Sequence, residues 1–176
     1  MELYFLRHAI AVQRENSQYP DDSQRPLTTH GRQKMHDIAC GMCTLGLSFD
    51  ALLCSPYVRA RQTAEIVTKV FKLKNTKISF TNNLVPDASL EKLCQEIHTD
   101  FPKSQNILFV GHEPHLIQLM AYLLKSKSPL SINLKKGGLG HITQETPLGE
   151  GNAVLNWILT PSQLCLIALN KSKKEQ

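Results

Sequence analysis

Short apolar runs that alternate with amphipathic segments are the feature of this sequence that most restricts its fold. Runs of strand length lie at residues 3–6, 51–54 and 106–110, and a weaker one lies at 78–80. The run at 106–110 is continuously apolar after its first residue, which is typical of a central strand in a parallel sheet. Because the segments between the runs have helical spacing, the alternation predicts an α/β fold: a three-layer sandwich with a mainly parallel central sheet.

The helical segments carry recognisable start and stop signals. A first helix is predicted to begin at Thr28 or Thr29, either of which can cap it, and to end at Gly46. Further helices are predicted at 57–72, 90–102 and 116–124. After residue 126 the pattern changes to short strands with glycine turns at 137–138 and 149–151. Residues 161–169 are compatible with a terminal helix or with an irregular segment.

The length of the chain suits one domain. We expect the 176 residues to form a single domain at 1–170 followed by a basic, frayed tail at 171–176. No apolar run approaches the roughly 18 residues of a membrane span, so no membrane association is expected. The N-terminus lacks the pattern of a signal peptide. The five scattered cysteines suit reduced thiols and a cytoplasmic location.

The formal net charge of +5 bears on the class of partner. Aromatic residues make up 6% of the chain, and no basic stripe is interleaved with them, which disfavours nucleic acid as a partner. The glycine-rich turn at 137–140 matches no nucleotide-binding loop. An anionic substrate is therefore the partner that the charge favours.

Three of the predicted strands end in residues that carry chemistry. These residues are Arg7 and His8 after the first strand, Ser55 and then Arg59 after the second, and His112 after the run at 106–110. Parallel strands place their carboxyl ends at the same edge of a sheet, where ligands of α/β proteins bind. Two imidazoles and two guanidiniums at one edge predict a site for an oxyanion such as phosphate, because arginine donates to phosphate oxygens in bidentate fashion.

His8 has the character of a nucleophile in such a site. Neighbouring arginines disfavour the protonated imidazole, which keeps a ring nitrogen free to attack phosphorus. The polar segment at 9–24 has the length of a functional loop, and we expect it to form a lid or rim over the site.

The same residues resemble the signatures of a known family. Leu6-Arg7-His8-Ala9, the segment at 55–64 that begins Ser55-Pro56-Tyr57, and Val110-Gly111-His112-Glu113 are similar, in this order, to three motifs of the histidine phosphatase superfamily. The run Arg25-Pro26-Leu27-Thr28, the Gly-His-Glu-Pro run at 111–114, and Asn156-Trp157 with Pro161 resemble the small SixA-type phosphohistidine phosphatases. The resemblance spans nearly the whole chain and implies the phosphoglycerate-mutase-like fold in its small form, without a large cap insertion.

The resemblance implies roles for four of these residues. His8 is the nucleophile and becomes phosphohistidine. Arg7 and Arg59 clamp the transferring phosphoryl group, and His112 donates to one of its equatorial oxygens. Water then hydrolyses the intermediate, and neither a metal nor another cofactor is required.

A second group is expected around this centre. Arg25, from the loop that crosses the pocket, Ser55 and Glu113 are predicted to bind substrate, although Ser55 alternatively fixes its own turn. Many superfamily members use a Glu or Asp after the third strand as the proton donor, and residues 84–87 carry no Glu at the matching place. Asp87 is the possible donor in its place, with Glu113 as an alternative.

Departures from the family pattern bear on the substrate. Ala9 stands where the family has Gly, which is tolerable unless the backbone requires positive φ. The missing acid favours a phosphoramidate over an alkyl phosphate ester, because an imidazole can leave already protonated. The expected substrate is therefore the phosphohistidine of a phosphoprotein, such as an Hpt-like or phosphotransfer carrier. The short chain, with little room for a cap that would recognise a small sugar or glycerate, agrees.

Alternative functions stay open at this point. One is a phosphatase of small phosphate monoesters, and another is a non-catalytic module that binds phosphate or a phosphoprotein. The C-x-x-C at 40–43 lies late in a predicted helix, which disfavours a redox role. His112 and His115 are three residues apart with a proline between them, which disfavours a zinc site. We expect His115 on the surface or at the rim of the pocket.

Overall fold

The computed structural model describes residues 1–15, 17–73, 78–145 and 153–172, with side chains through residue 170. Its strands are β1 (Glu2–Arg7), β2 (Ala51–Cys54), β3 (Ile78–Phe80), β4 (Asn106–Gly111), β5 (Leu139–Gln144) and β6 (Ala153–Leu159). Its α-helices are α1 (Thr29–Thr44), α2 (Val58–Val70), α3 (Leu90–Asp100), α4 (His115–Leu123) and α5 (Pro161–Ser172). The predicted strands and helices are confirmed, and the segment after residue 160 is a helix.

The strands form one sheet in the order β3-β2-β4-β1-β5-β6. Strands β3, β2, β4 and β1 are parallel to their neighbours, whereas β5 runs antiparallel to both β1 and β6. The register of β1 on β4 pairs Leu6 with Val110 and Arg7 with Gly111, so both strands end level with each other. The prediction of a mainly parallel sheet is confirmed, and the residues that follow β1 and β4 are neighbours.

Helices cover both faces of the sheet, which explains the unbroken apolar strands. In β1, Tyr4 and Leu6 belong to the core beneath α1, α2 and α5, and Leu3 and Phe5 belong to the core beneath α3 and α4. Leu3, Phe5 and Leu6 are completely buried. Burial of each such side chain contributes about 1.5–3 kcal/mol, so β1 is fixed by both layers and not only by its hydrogen bonds.

The ends of α1 follow the sequence signals. The side chain of Thr28 accepts a hydrogen bond from the Gly31 amide and caps the helix, and Gly46 adopts φ +72° just after it. Within this helix, a Cβ at Gly41 would lie 2.0 Å from the carbonyl oxygen of Leu164 in α5. The C-x-x-C therefore spans a close helix contact, and none of the five cysteines forms a disulfide.

Some of the predictions for the C-terminal part of the chain fall on described residues and others do not. The glycine turn at 137–138 is confirmed, with Gly137 at φ +80°. The turn predicted at 149–151 and residues 173–176 of the predicted tail lie outside the described residues, while 171–172 belong to α5. Among the helices that the structure describes, none combines the length and the apolarity that crossing a membrane would require.

Candidate active site

His8 lies directly after β1, with its backbone amide donating to the Gly111 carbonyl at the end of β4, at 3.0 Å. Its side chain is 5% exposed. The ring Nδ1 is 2.7 Å from the carbonyl oxygen of Ala9, so Nδ1 carries the proton and donates. On the other side of the ring, Nε of Arg59 donates to Nε2 at 3.2 Å. The ring therefore has one assigned tautomer, with an unprotonated Nε2.

The surroundings of His8 hold the ring neutral. Burial is the main cause that lowers its pKa well below the usual 6.5, followed by His112, and Arg59 and Arg7 act in the same direction. The hydrogen bond to Ala9 opposes this shift without reversing it. The predicted effect of the arginines is present, but desolvation is the larger cause.

His112, directly after β4, lies beside His8 with 5.1 Å between ring centroids. Its Nε2 is 2.8 Å from Oγ of Ser55, and this oxygen already accepts from the amide of Tyr57. A serine hydroxyl can donate and also accept twice, so this contact fits either neutral tautomer of His112. The Nδ1 of His112 is buried and has no hydrogen-bond partner among the described residues, which leaves this nitrogen for a bound group. Burial, and then Arg59, lower the pKa of His112 to about 3.

Arg59, in the first turn of α2, is held at every nitrogen. Besides the bond from Nε to His8, its Nη1 donates to the main-chain carbonyl of Asp22 at 2.6 Å and its Nη2 to the Asp22 carboxylate at 2.9 Å. The guanidinium lies over the ring of Tyr57, 5.0 Å from the centroid. Its side chain is 4% exposed. A buried guanidinium with these contacts is a fixed cation beside the nucleophilic nitrogen.

Arg7, the last residue of β1, is paired with Glu113. Its Nη1 donates to the Glu113 carboxylate and, at 2.8 Å, to the carbonyl of Leu134. The second carboxylate oxygen of Glu113 accepts from the Leu134 amide at 3.1 Å. Nε of Arg7 is buried without a partner in the part of the chain that the structure describes, so this donor is left for a bound group.

Arg25 comes from the loop before α1 and is tied to the same carboxylate as Arg59. Its Nε and Nη2 lie 2.9 and 2.7 Å from Oδ1 of Asp22, and Nη1 donates to the carbonyl of Val12 at 2.6 Å. Burial opposes ionisation of Asp22, but the hydrogen bonds and charges of Arg25 and Arg59 outweigh it and hold the pKa of Asp22 below its usual value. Asp22 is therefore an anion between two cations.

These groups line one cleft of about 720 Å³. Asp87, at φ +64°, and the exposed Lys136 lie on its wall. Lys136 is placed by the next residue, Gly137, whose amide donates to the carbonyl of Arg7 at 3.0 Å. Desolvation, and next the charges of the site arginines, lower the pKa of Lys136. The segment at 9–24, of which residue 16 is not described, contributes Asp22 and part of this wall, in line with its predicted place.

The structure brings most of the predicted residues together. The cleft is lined by Arg7, His8, Arg25, Arg59, Asp87, His112 and Glu113. Ser55 differs, because it is completely buried behind His112 and does not line the cleft. The expectation that His115 lies on the surface or rim is wrong, since it is completely buried. Ala9 does not need positive φ, so its methyl group is accommodated.

Asp22, Tyr57 and Lys136 are among the cleft residues to which the sequence-based prediction gave no role of their own. Asp22 and Lys136 are charged residues in polar segments, where nothing in the spacing separates them from solvated side chains. Tyr57 lies inside the second motif, and its ring packs 5.0 Å from the ring of His112. Its position between Ser55 and Arg59 was the one feature of the sequence that could have indicated a place in the cleft.

The buried neutral imidazoles predict a loss of stability in mild acid. The unfolded chain protonates each histidine near pH 6.5, whereas folded His8 and His112 stay neutral well below this, so the free energy of unfolding falls as pH drops below 6.5. At about pH 4.5 the shift of His112 alone should cost about 2–3 kcal/mol, and His8 acts in the same direction; urea unfolding across a pH series measures the loss.

A pair of variants isolates the contribution of His112. His112→Gln should flatten the stability curve between about pH 7 and 4.5 by about 2 kcal/mol, because it removes the titration of His112. His98→Gln, at an exposed position in α3, should keep the slope of the parent chain. Equal slopes for the parent and His112→Gln would show that His112 protonates normally in the folded state.

Comparison with known proteins places the chain in a family. Residues 3–84 match the family model of the histidine phosphatase superfamily (branch 1). An uncharacterized protein of Picosynechococcus sp. is 34% identical over 140 residues, which cover 79% of this chain and 82% of that protein. The chain belongs to the histidine phosphatase superfamily. The phosphohistidine phosphatase SixA of Escherichia coli is 26% identical over 166 residues, which cover 93% of this chain and 96% of SixA.

Solved structures of other phosphatases share the fold. The protein histidine phosphatase SixA complexed with tungstate superposes with a TM-score of 0.79 at 24% identity, over 93% of this chain and 99% of that one. A putative alpha-ribazole-5'-P phosphatase of Escherichia coli has a TM-score of 0.71 at 19% identity, over 92% and 97% of the two chains. The resemblance to SixA-type proteins and the phosphoglycerate-mutase-like fold are confirmed, whereas phosphatases with different named substrates share this architecture.

Proposed function

We propose that this chain is a phosphohistidine phosphatase that takes a phosphoryl group from a histidine of a phosphoprotein onto His8 and passes it to water. The single observation that carries the proposal is the state of the His8 ring. Its Nδ1–H is tied to Ala9, and its unprotonated Nε2 faces an N–H of Arg59 at the base of a cleft lined by arginines. A desolvated, neutral imidazole of fixed tautomer is an activated nucleophile.

The first step transfers the phosphoryl group. The lone pair of Nε2 attacks phosphorus, the bond from phosphorus to the substrate imidazole breaks, and the electron pair of that bond leaves with the substrate nitrogen, which carries or takes a proton. The N–H groups of Arg59 and Arg7 are donors for the phosphoryl oxygens, where negative charge is concentrated, and His112 adds a third donor when its unpartnered Nδ1 carries the ring proton.

The second step restores the enzyme. A water oxygen attacks the phosphorus of phospho-His8, the bond from phosphorus to Nε2 breaks, and its electron pair returns to Nε2. Inorganic phosphate leaves with the proton balance carried by water. The ring returns to the neutral state that burial favours.

The carboxylates of the cleft support a phosphohistidine substrate. Asp22 is held ionised between arginines, and Glu113 is held by Arg7 and the Leu134 amide, so neither is placed to give a proton to an alkoxide. A phosphoramidate leaving group that departs as a protonated imidazole needs no such acid. The absence of disulfides among the five cysteines supports a reducing compartment such as the cytoplasm for this substrate.

Hydrolysis of small phosphate monoesters is the second candidate, and Asp87 is the observation that favours it. Its carboxyl group lines the cleft without an ion pair among the described residues, so it is the one predicted donor that remains available. Under this reading Asp87 protonates the departing alkoxide.

A comparison of two leaving groups tests the proposal. A histidine peptide phosphorylated with phosphoramidate should be hydrolysed with a kcat/KM at least about 100-fold above that for an alkyl phosphate such as phosphoserine, since only the alkoxide leaving group needs an acid. Quenched reactions with ³²P-labelled peptide should give acid-labile label on His8. A preference for the ester that is lost in Asp87→Asn would select the second candidate. Binding of phosphate without label or turnover would make the chain a binding module.

A further inference from the structure

Asp22 is an ionised carboxylate inside the cleft for which neither step of the proposed reaction has a use. It is the first residue of a short 3₁₀ turn (Asp22–Gln24) that Asp21 caps. Its two carboxylate oxygens are divided between arginines: Oδ2 accepts from Arg59, and Oδ1 accepts from Arg25 and lies 3.6 Å from Arg14. This arrangement is the one that a phosphoryl group would take between the same guanidiniums.

Asp22 fixes the orientation of Arg59. The carbonyl and the carboxylate of Asp22 together engage Nη1 and Nη2, and this leaves Nε directed at His8. The planar guanidinium cannot rotate while both outer nitrogens are held. The contact between Arg59 and the nucleophile is therefore set by a residue that does not itself touch His8 in the structure.

The same carboxylate competes with any oxyanion for the arginine donors. Arg7 is balanced by Glu113, so Asp22 is the counterion of Arg25 and Arg59. A phosphate dianion that enters beside His8 approaches a fixed negative charge as well as the cations. In a partly desolvated cleft the energy of this repulsion is larger than in water, because the dielectric constant is lower.

We infer that Asp22 is a positioning residue that aims Arg59 at His8 and, by competing for the arginine donors, limits how tightly the site holds an oxyanion. The effect on product release rests on the proposed function, whereas the effect on oxyanion binding does not. Without a carboxylate beside them, the arginines would bind product phosphate tightly and slow its release. The charge of Asp22 weakens this binding.

Asp22→Asn tests the charge while keeping both acceptors of Arg59. The variant retains the main-chain carbonyl bound by Arg59 and a side-chain oxygen for Nη2, but it loses the negative charge and replaces the carboxylate oxygen that accepts from Arg25 by an amide NH2. Tungstate binding measured by titration calorimetry should tighten about 10-fold in Asp22→Asn. Asp21→Asn is the matched control: it removes a neighbouring exposed carboxylate whose hydrogen bonds go to Ser23 and Gln24 of the same turn and to none of the arginines, and asparagine still caps the turn. Its tungstate affinity should stay at the parent value.

Kinetics on the phosphorylated peptide distinguish two roles of Asp22: competing with the oxyanion for the arginine donors, and only maintaining the structure of the site. In Asp22→Asn the KM and the inhibition constant for inorganic phosphate should fall together by about 5–10-fold without a rise in kcat. A residue that only maintained structure would raise both constants when changed. Unchanged or weaker tungstate binding in Asp22→Asn overturns the inference. If no phosphohistidine is turned over by the parent chain, the proposed function fails, and the tungstate comparison still decides the role of Asp22.

Discussion

Replacing His8 by asparagine is expected to abolish turnover, with kcat reduced by at least about 10⁴-fold, as in other enzymes that lose their nucleophile. Asparagine is chosen because its amide N–H can take over the hydrogen bond of Nδ1 to the Ala9 carbonyl, while nothing replaces Nε2. The variant therefore removes the reacting atom and leaves the local backbone contacts. Release of inorganic phosphate from the phosphorylated histidine peptide measures the loss.

Oxyanion binding distinguishes loss of the nucleophile from loss of the site. His8→Asn should still bind tungstate, because Arg7, Arg59 and His112 are unchanged, but it should acquire no acid-labile label. His30→Asn, at an exposed position in α1, should retain full turnover. Substantial turnover by His8→Asn, with label at another residue, would show that the nucleophile lies elsewhere in the cleft.

The fold was predictable because its signals are local. Strand β4 is apolar on both faces since helices cover both sides of the sheet, and Thr28 and Gly46 mark the ends of α1 through capping and positive φ. The same logic extends to the site, because parallel strands bring their ends to one edge. His8 and His112, separated by more than a hundred residues, are neighbours for this reason alone.

The charges that balance the site were not predictable in this way. Asp22 and Lys136 lie in polar segments without periodicity, and what places them is the path of a loop across the arginines and the backbone pairing of Gly137 with Arg7. Such contacts are tertiary, so no spacing of residues in the sequence predicts them. A sequence-based prediction therefore finds the arginines of a phosphate site and misses the carboxylate of Asp22 that pairs with two of them.

Burial also corrected two assignments within the motifs. Ser55, after a strand end, was predicted to bind substrate or to fix its own turn, and His115, next to the third motif, was predicted to lie on the surface or at the rim of the pocket. The turn after β2 places Ser55 beneath His112 as its hydrogen-bond partner, and α4 places His115 completely buried in the interior. The burial of both residues depends on tertiary packing that the motif spacing does not contain.

Replacing Arg59 by methionine is expected to lower kcat/KM by about 10³-fold. A loss of this size is typical when a fixed cation that stabilises the transition state of phosphoryl transfer is removed. Methionine fills a similar volume but donates nothing to the phosphoryl group, and it leaves Asp22 in the cleft with one of its two close arginines removed. Both effects act against an anionic transition state. Arg61→Met, two residues further along α2, should retain activity, because Arg61 is exposed and pairs with Glu65.

The geometry of Arg59, and not only its charge, should determine the loss. Arg59→Lys restores one positive charge, but a single ammonium cannot reach Nε2 of His8 and both acceptors of Asp22 in the planes that a guanidinium spans. Its kcat/KM should therefore remain about 10²-fold below the parent. Adding Asp22→Asn to Arg59→Met should recover tungstate binding without recovering kcat, since it removes the repulsion but supplies no donor. Full activity of Arg59→Lys would show that Arg59 acts as a point charge and that its fixed orientation is not required.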